Sequence, residues 1–161
     1  MISNNLQEAL NGQINAEMWS AYLYLSMAMQ SSEFCNRGME HWFRKQYDEE
    51  MSHAFRIIDY VESQMARVRL MPIAEFQTKW KDPMDMFETA LRHEQKVTIM
   101  INRLYELAQD ENDHATAIFL QWFVTEQVEE EEQVHDIIDQ LNKIDDNAAA
   151  MLVLDKELCK R

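Results

Sequence analysis

Only two glycines and two prolines occur in the 161 residues, and this scarcity of turn residues limits the possible folds most. A sheet needs a turn after every few residues, and such turns depend on Gly, Pro and similar residues. Leu, Met, Glu, Gln, Ala and Lys, which favour helices, dominate the rest of the sequence. We therefore predict a single all-α domain, residues 1–161, with long helices and a real core.

The charge balance restricts the partners of the chain. Acidic residues outnumber basic residues by 29 to 15, which gives a net charge of −14. Such a chain repels nucleic acid and anionic membranes and attracts cations, although solubility alone is another use for acidic residues. We expect no nucleic-acid partner and no membrane partner.

The sequence shows no pattern typical of a signal peptide, a membrane span, a disulfide framework or a zinc site. The start, Met1 to Asn5, has neither the basic nor the apolar run of a signal peptide, and no stretch has the roughly 18 apolar residues of a membrane span. Cys35 and Cys159 suggest neither a disulfide framework nor a zinc site. A reduced, cytoplasmic protein is the expectation.

Apolar residues at helical spacing predict four long helices and one short helix. The first should begin near Asn5 with Glu8 in a capping box, and the apolar stripe of the second includes Met65. Asp82 and Pro83 suit the start of the third, and residues 145–147 can cap the fifth. The predicted helices are residues 5–30, 38–66, 84–109, 114–143 and 148–158.

The connections predict how these helices are arranged. Short turns make the first and second helices, and the third and fourth, antiparallel hairpins. The long link from Arg67 to Pro83 can run the whole length of the bundle, which leaves the second and third helices parallel. The prediction is a four-helix bundle with one long crossover and a short C-terminal fifth helix.

Polar residues interrupt the apolar stripe of each long helix at one level. Counted from the hairpin turns at 1.5 Å per residue, they all lie roughly 22 to 29 Å from the turn ends. Buried carboxylates are costly together unless a cation accompanies them, so a metal site is predicted. Glu50 and His53, three residues apart on one helix face, suit iron. The inward polar residues are Glu17, Glu50, His53, Glu94, Gln127 and Glu130.

A second Glu-x-x-His pair, Glu132 and His135, competes with this interpretation. Both residues lie away from the apolar stripe of the fourth helix, so we expect them to face solvent. His41, His93 and His114 are interpreted as surface or packing residues.

Several motifs together resemble the bacterial non-haem ferritins over nearly the whole chain. No single motif is specific, but their combination is. They are Glu17 with Tyr24, the pair Glu49-Glu50 followed by His53, His93-Glu94-Gln95, the run from Phe119 to Glu131, and the C-terminal run from Asp155 to Leu158.

The resemblance implies a ferroxidase centre with two iron sites. Glu17, Glu50 and His53 would hold the first iron, and Glu94 and Glu130 the second. Glu50 would bridge them, with Gln127 nearby and Tyr24 beside the centre. Glu49, Glu126 and Glu129 match the residues that form a third iron site with Glu130.

The implied reaction is oxidation of Fe(II) by dioxygen or hydrogen peroxide, with storage of an Fe(III) mineral. The implied assembly is a homo-oligomeric hollow cage of 24 subunits, with the fifth helix lining a channel on a symmetry axis. Ala117 and Leu120 stand where animal ferritins carry acidic pore residues, so that route for iron is not implied here. Asp110, Glu111 and Asp113 are interpreted as turn residues.

Two other functions remain open at this point. A haem-containing bacterioferritin would use Met51 as its haem ligand, but its second half carries Glu-x-x-His where this chain has Gln127 and Glu130. No haem is therefore expected. A metal-free helical structural protein would need no carboxylates at one level.

Overall fold

All regular elements in the computed structural model, which describes residues 1–145 and 147–160, are α-helices. This confirms the predicted all-α class and the five-helix order. Within that part of the chain, no helix is long and apolar enough to cross a bilayer. The helices are α1 (Asn4–Glu33), α2 (Arg37–Ser63), α3 (Pro83–Asp110), α4 (His114–Ile144) and α5 (Ala148–Leu158).

The crossover between α2 and α3 lies along α1. The Asn11 side chain donates to the Arg67 carbonyl at 3.0 Å and accepts from the Arg69 N–H at 2.6 Å. Further on, the Phe76 ring meets Trp19 edge-on, with the ring centroids 6.2 Å apart. The link therefore passes from the first turns of α1 beyond its middle, which makes α2 and α3 parallel as predicted.

Helices α1, α2 and α3 each end with a left-handed residue other than glycine. The residue after the last turn adopts the left-handed conformation in each, at Cys35 (φ 62°), Met65 (φ 56°) and Asn112 (φ 57°). The following N–H bonds back into the helix, as from Ala66 to the Val61 carbonyl at 3.1 Å. The prediction that α2 continues to residue 66 is therefore wrong, and Met65 is 85% exposed rather than in the core.

Helix α1 begins at Asn4, one residue from the predicted start, but its predicted cap is wrong. The N-cap is Ser3, whose Oγ accepts from the Leu6 N–H at 3.1 Å, so Asn5 and Glu8 form no capping box. At α3 the predicted cap is confirmed, because the Asp82 carboxylate accepts from the Asp85 N–H at 2.9 Å.

Helix α5 docks on the first turn of α2. The α2 N-cap residue, Asn36, makes no side-chain cap bond. Instead the Asp155 carboxylate of α5 accepts from the Met39 N–H at 2.9 Å. A Cβ on Gly38 would lie 1.5 Å from the Asp155 carbonyl oxygen, so only glycine allows this approach. Asn147 caps α5 as predicted, and Asp146 lies outside the described residues.

Two apolar clusters fill the bundle, one above the other. The cluster near α5 includes Met27, Phe43 and Phe87, and the cluster at the opposite end includes Leu10, Ile57 and Phe123. The inward polar residues of all four long helices lie between them in the chain order of each helix. The core is thus apolar at both ends and polar at one level in the middle.

Candidate metal centre

The six predicted inward polar residues are all buried in the middle of the bundle. Each has almost no exposed surface, although four are carboxylates. Their exposed fractions are 1% for Glu17, 2% for Glu50, 5% for His53, 0% for Glu94, 4% for Gln127 and 1% for Glu130.

Glu17, Glu50 and His53 form one candidate ligand set. Each offers a ligand atom, and these atoms all lie within 4.8 Å of one another. The His53 Nδ1 lies 3.8 Å from Glu50 Oε2, and that buried carboxylate oxygen has no hydrogen-bond partner in residues 1–145 and 147–160. Because an unsatisfied buried carboxylate is costly, the set is suited to a cation.

Glu94 is held by two neighbours opposite this set. The buried Tyr24 hydroxyl donates to Glu94 Oε1, and the Gln127 amide donates to Glu94 Oε2 at 3.2 Å. Tyr24 is itself held by the Phe43 ring, which stacks on it with a centroid distance of 6.2 Å. Tyr24 therefore has a polar role as well as a packing role.

Burial and the charges of neighbouring carboxylates raise the pKa values of Glu94 and Glu50. Burial raises the pKa of Glu94 to about 8, and the charge of Glu130 adds to this, whereas the bonds from Tyr24 and Gln127 lower it. Burial also raises the pKa of Glu50 well above its usual range, helped by the charges of Glu94, Glu17 and Glu130. Ionised Glu50 and Glu94 would need compensating positive charge here, and divalent cations would supply it.

Glu126 extends the site on the α4 side. Its Oε1 lies 3.9 Å from His53 Nε2, and His53, Glu126 and Glu130 offer ligand atoms within 4.8 Å of one another. Glu49 is half-buried and Glu129 is exposed. Neither belongs to a three-ligand cluster in residues 1–145 and 147–160. Of the residues predicted for a third site, the structure thus brings Glu126 next to Glu130.

Two glutamines at the centre were missed by the sequence analysis. Gln13 donates through Nε2 to Glu17 Oε1 at 2.9 Å, and Gln46 donates through Nε2 to Glu130 Oε2 at 2.7 Å. Both are buried, and each lies four residues before a carboxylate on its own helix. For Gln13, that spacing on the inward face was the available signal.

The other candidate residues lie outside the centre. Glu132 and His135 are exposed, as predicted, and His135 Nδ1 lies 3.8 Å from the Asp139 carboxylate. Ala117 and Leu120 are buried. Asp113, predicted to be a turn residue, caps α4 by accepting from the Thr116 N–H at 3.0 Å.

His93 packs between helices, as predicted. Its Nε2 lies 2.6 Å from the Ser20 hydroxyl, and its ring centroid lies 5.0 Å from that of Trp19. Burial, followed by the charge of Lys96, lowers its pKa to about 4. His114 is exposed at the start of α4.

Comparison with known proteins agrees with this geometry. The ferritin-like domain matches residues 7–144. The chain is 39% identical over 161 residues to a bacterial non-heme ferritin of Bacteroides fragilis, covering 100% of both chains. It is 36% identical to the bacterial non-heme ferritin of Staphylococcus haemolyticus, covering 100% of this chain and 97% of that one.

Solved structures give the same result. A ferritin of the archaeon Archaeoglobus fulgidus, described as a novel open pore ferritin, superposes with a TM-score of 0.99 at 45% identity. The alignment covers 100% of this chain and 99% of that one. Four helices that bring buried carboxylates to one level, together with matches over the full length, establish that this chain belongs to the ferritin family.

Proposed function

We propose that this chain oxidises Fe(II) at a centre between its four long helices and stores the resulting Fe(III). Iron storage is the function that membership of the ferritin family supports. The observation that carries the oxidation step is the buried set of Glu17, Glu50 and His53. Its ligand atoms lie within 4.8 Å of one another, and one Glu50 oxygen has no partner among the residues that the structure describes.

The ligand types suit two iron ions. Carboxylate and imidazole ligands bind Fe(II), and carboxylates also stabilise the higher charge of Fe(III). Glu17 and His53 would serve one ion, and Glu94 and Glu130 the other, with Glu50 between them and Gln127 nearby. Two Fe(II) ions supply two electrons. Together with two protons, these reduce dioxygen to hydrogen peroxide, or hydrogen peroxide to two water molecules.

The protein sets how many ligands iron meets, where they lie and which protons leave when a cation binds. Tyr24 and Gln127 fix the Glu94 carboxylate, and Gln13 fixes Glu17. Because burial raises the pKa of Glu50 and of Glu94, cations must displace protons from these groups on binding. The amino acids thus set where iron binds and at which pH.

A double variant with a matched control tests the centre. His53→Ala with Glu130→Ala should reduce the initial rate of Fe(II) oxidation in air by at least tenfold, because each proposed iron position loses a ligand. Glu132→Ala with His135→Ala removes the same residue types from exposed positions on α4 and should leave the rate unchanged. Equal rates for the two double variants would disprove the proposed centre.

Glu49, Glu126 and Glu129 are proposed to form a third iron position with Glu130. The support is the 3.9 Å approach of Glu126 to His53 and the cluster of His53, Glu126 and Glu130. Glu126→Gln should lower the anaerobic Fe(II) stoichiometry by one ion per chain. An unchanged stoichiometry would exclude Glu126 as a ligand.

A hollow homo-oligomeric cage is the proposed assembly. Large apolar side chains are exposed on the single chain, including Phe55 (53%), Ile118 (67%) and Val153 (61%), and subunit contacts would cover them. A cage of 24 chains of 19.2 kDa would have a mass of about 460 kDa by light scattering. A small iron-free particle would favour the structural alternative, and a Soret band in the purified protein would favour the haem-containing one.

A further inference from the structure

Gln46 has an unusual environment next to the proposed centre. It lies on α2, four residues before Glu50, and 0% of its surface is exposed. Its Nε2 donates to Glu130 Oε2 at 2.7 Å. Its Oε1 is buried and has no hydrogen-bond partner among the described residues.

The unpaired oxygen distinguishes Gln46 from the other amides of the centre. Three carboxylates each accept from one glutamine: Glu17 from Gln13 at 2.9 Å, Glu94 from Gln127 at 3.2 Å and Glu130 from Gln46 at 2.7 Å. Of these three amides, only Gln46 has a buried oxygen without a partner in the described part of the chain. Leaving such an oxygen unsatisfied is destabilising, so a donor is expected to reach it in the working protein.

The orientation of the amide follows from the chemistry of its partner. An ionised carboxylate can only accept hydrogen bonds, so the nitrogen of Gln46 must face Glu130. Amide nitrogen and oxygen lie about 2.2 Å apart, which places Oε1 no more than about 5 Å from Glu130 Oε2. A water molecule on a metal ion held by Glu130 would lie within this range, and its O–H groups are donors.

We propose that Gln46 is a positioning residue with two functions at the centre. Its Nε2 fixes Glu130, and its Oε1 accepts a hydrogen bond from a water molecule or hydroxide on the metal ion that Glu130 binds. This inference rests on the proposed function of the centre. It assigns Gln46 to the metal ion of Glu94 and Glu130 rather than to the ion of Glu17, Glu50 and His53.

Titration of the metal-free protein with Co²⁺, followed by its visible absorption, tests this assignment. The parent should bind two Co²⁺ ions per chain at the centre. Gln46→Met keeps the approximate volume and removes both hydrogen-bonding groups. It should weaken the second Co²⁺ by about tenfold or more and change its spectrum, whereas the first Co²⁺ is unchanged. The thermal midpoint of the metal-free variant should stay close to that of the parent, because removing the unsatisfied oxygen offsets the loss of the bond to Glu130.

Two further variants keep the result interpretable. Gln46→Glu has nearly the same shape but replaces the amide with a carboxyl group that can itself bind a cation, so it should also change only the second spectrum. Gln30→Met removes another buried amide, which bonds to Glu33 on α1 about 20 Å along the helix from Glu17, and should leave both Co²⁺ ions unaffected.

The outcomes separate the inference from the function on which it rests. If both Gln46 variants bind the second Co²⁺ with the same affinity and the same spectrum as the parent, the inference is overturned. Equal weakening of both ions with a lowered thermal midpoint would also overturn it, because that result indicates a purely structural role. A parent that binds fewer than two Co²⁺ ions would contradict the proposed centre itself.

Discussion

The metal-free protein should lose stability as the pH rises from 5 to 8, because Glu94 is buried with a raised pKa. Its ordinary value is 4.5 and its value in the folded chain is about 8. Below about pH 4.5 the Glu94 carboxyl is protonated in both the folded and the unfolded protein, and its contribution to stability is fully present. Between these two values only the unfolded state releases the proton, so stability decreases with pH.

The expected size follows from the two pKa values of Glu94. A gap from 4.5 to about 8 makes the stability contribution fall by roughly 3 to 4 kcal/mol between pH 5 and pH 8. Glu50 acts in the same direction, because burial also raises its pKa. A decrease of this size is a large part of the 5–15 kcal/mol that stabilises a typical domain.

Urea unfolding of chelator-treated protein at both pH values measures this effect. Glu94→Gln mimics the protonated side chain, so its stability relative to the parent should rise by about 3 kcal/mol from pH 5 to pH 8. Glu132→Gln, an exposed control on α4, should show no such change. Chain concentration must be equal throughout, since assembly contributes to stability. Parallel pH profiles for the parent and Glu94→Gln would refute the reasoning.

Three further predictions concern other residues. Tyr24→Phe removes a donor that lowers the pKa of Glu94, so the pH for half-maximal Co²⁺ binding should move upward; an unchanged midpoint would mean that this bond does not favour the ionised carboxylate. Gly38→Ala places a Cβ 1.5 Å from the Asp155 carbonyl oxygen. It should therefore destabilise the protein by about 2 kcal/mol or more and make α5 sensitive to proteases. Thermal unfolding and proteolysis like those of the parent would contradict this prediction. Met65→Gly should stabilise the protein by about 1 kcal/mol in thermal unfolding, because Met65 has φ 56°. Glu62→Gly inside α2 should destabilise it by about the same amount. A loss of stability in Met65→Gly would contradict the argument.

The level of the candidate metal centre was predictable because helices are regular. A rise of 1.5 Å per residue and a repeat of 3.6 residues convert positions such as Glu17 and Glu94 into height and direction. The burial of both residues, 1% and 0% exposed, agrees with that calculation. The family resemblance then added roles that periodicity alone does not supply.

Helix ends were less predictable because their signals were unusual or distant. Met65 and Cys35 take left-handed conformations that usually mark glycine, so residue type did not indicate where α1 and α2 end. The cap of α2 comes from Asp155, 116 residues away, and no local pattern reveals such a partner. Gln46 was overlooked because a glutamine in an apolar stripe shows its role only when Glu130 of another helix is placed beside it.

The docking of α5 on α2 also orders events during protein synthesis. Met39 leaves the ribosome 116 residues before Asp155, which at about 5–20 residues per second corresponds to roughly 6 to 23 s. During that time the first turn of α2 lacks its carboxylate partner, and the surface over Gly38 is uncovered. A chain whose translation stops before α5 therefore keeps an open α2 terminus, which distinguishes it from a finished chain.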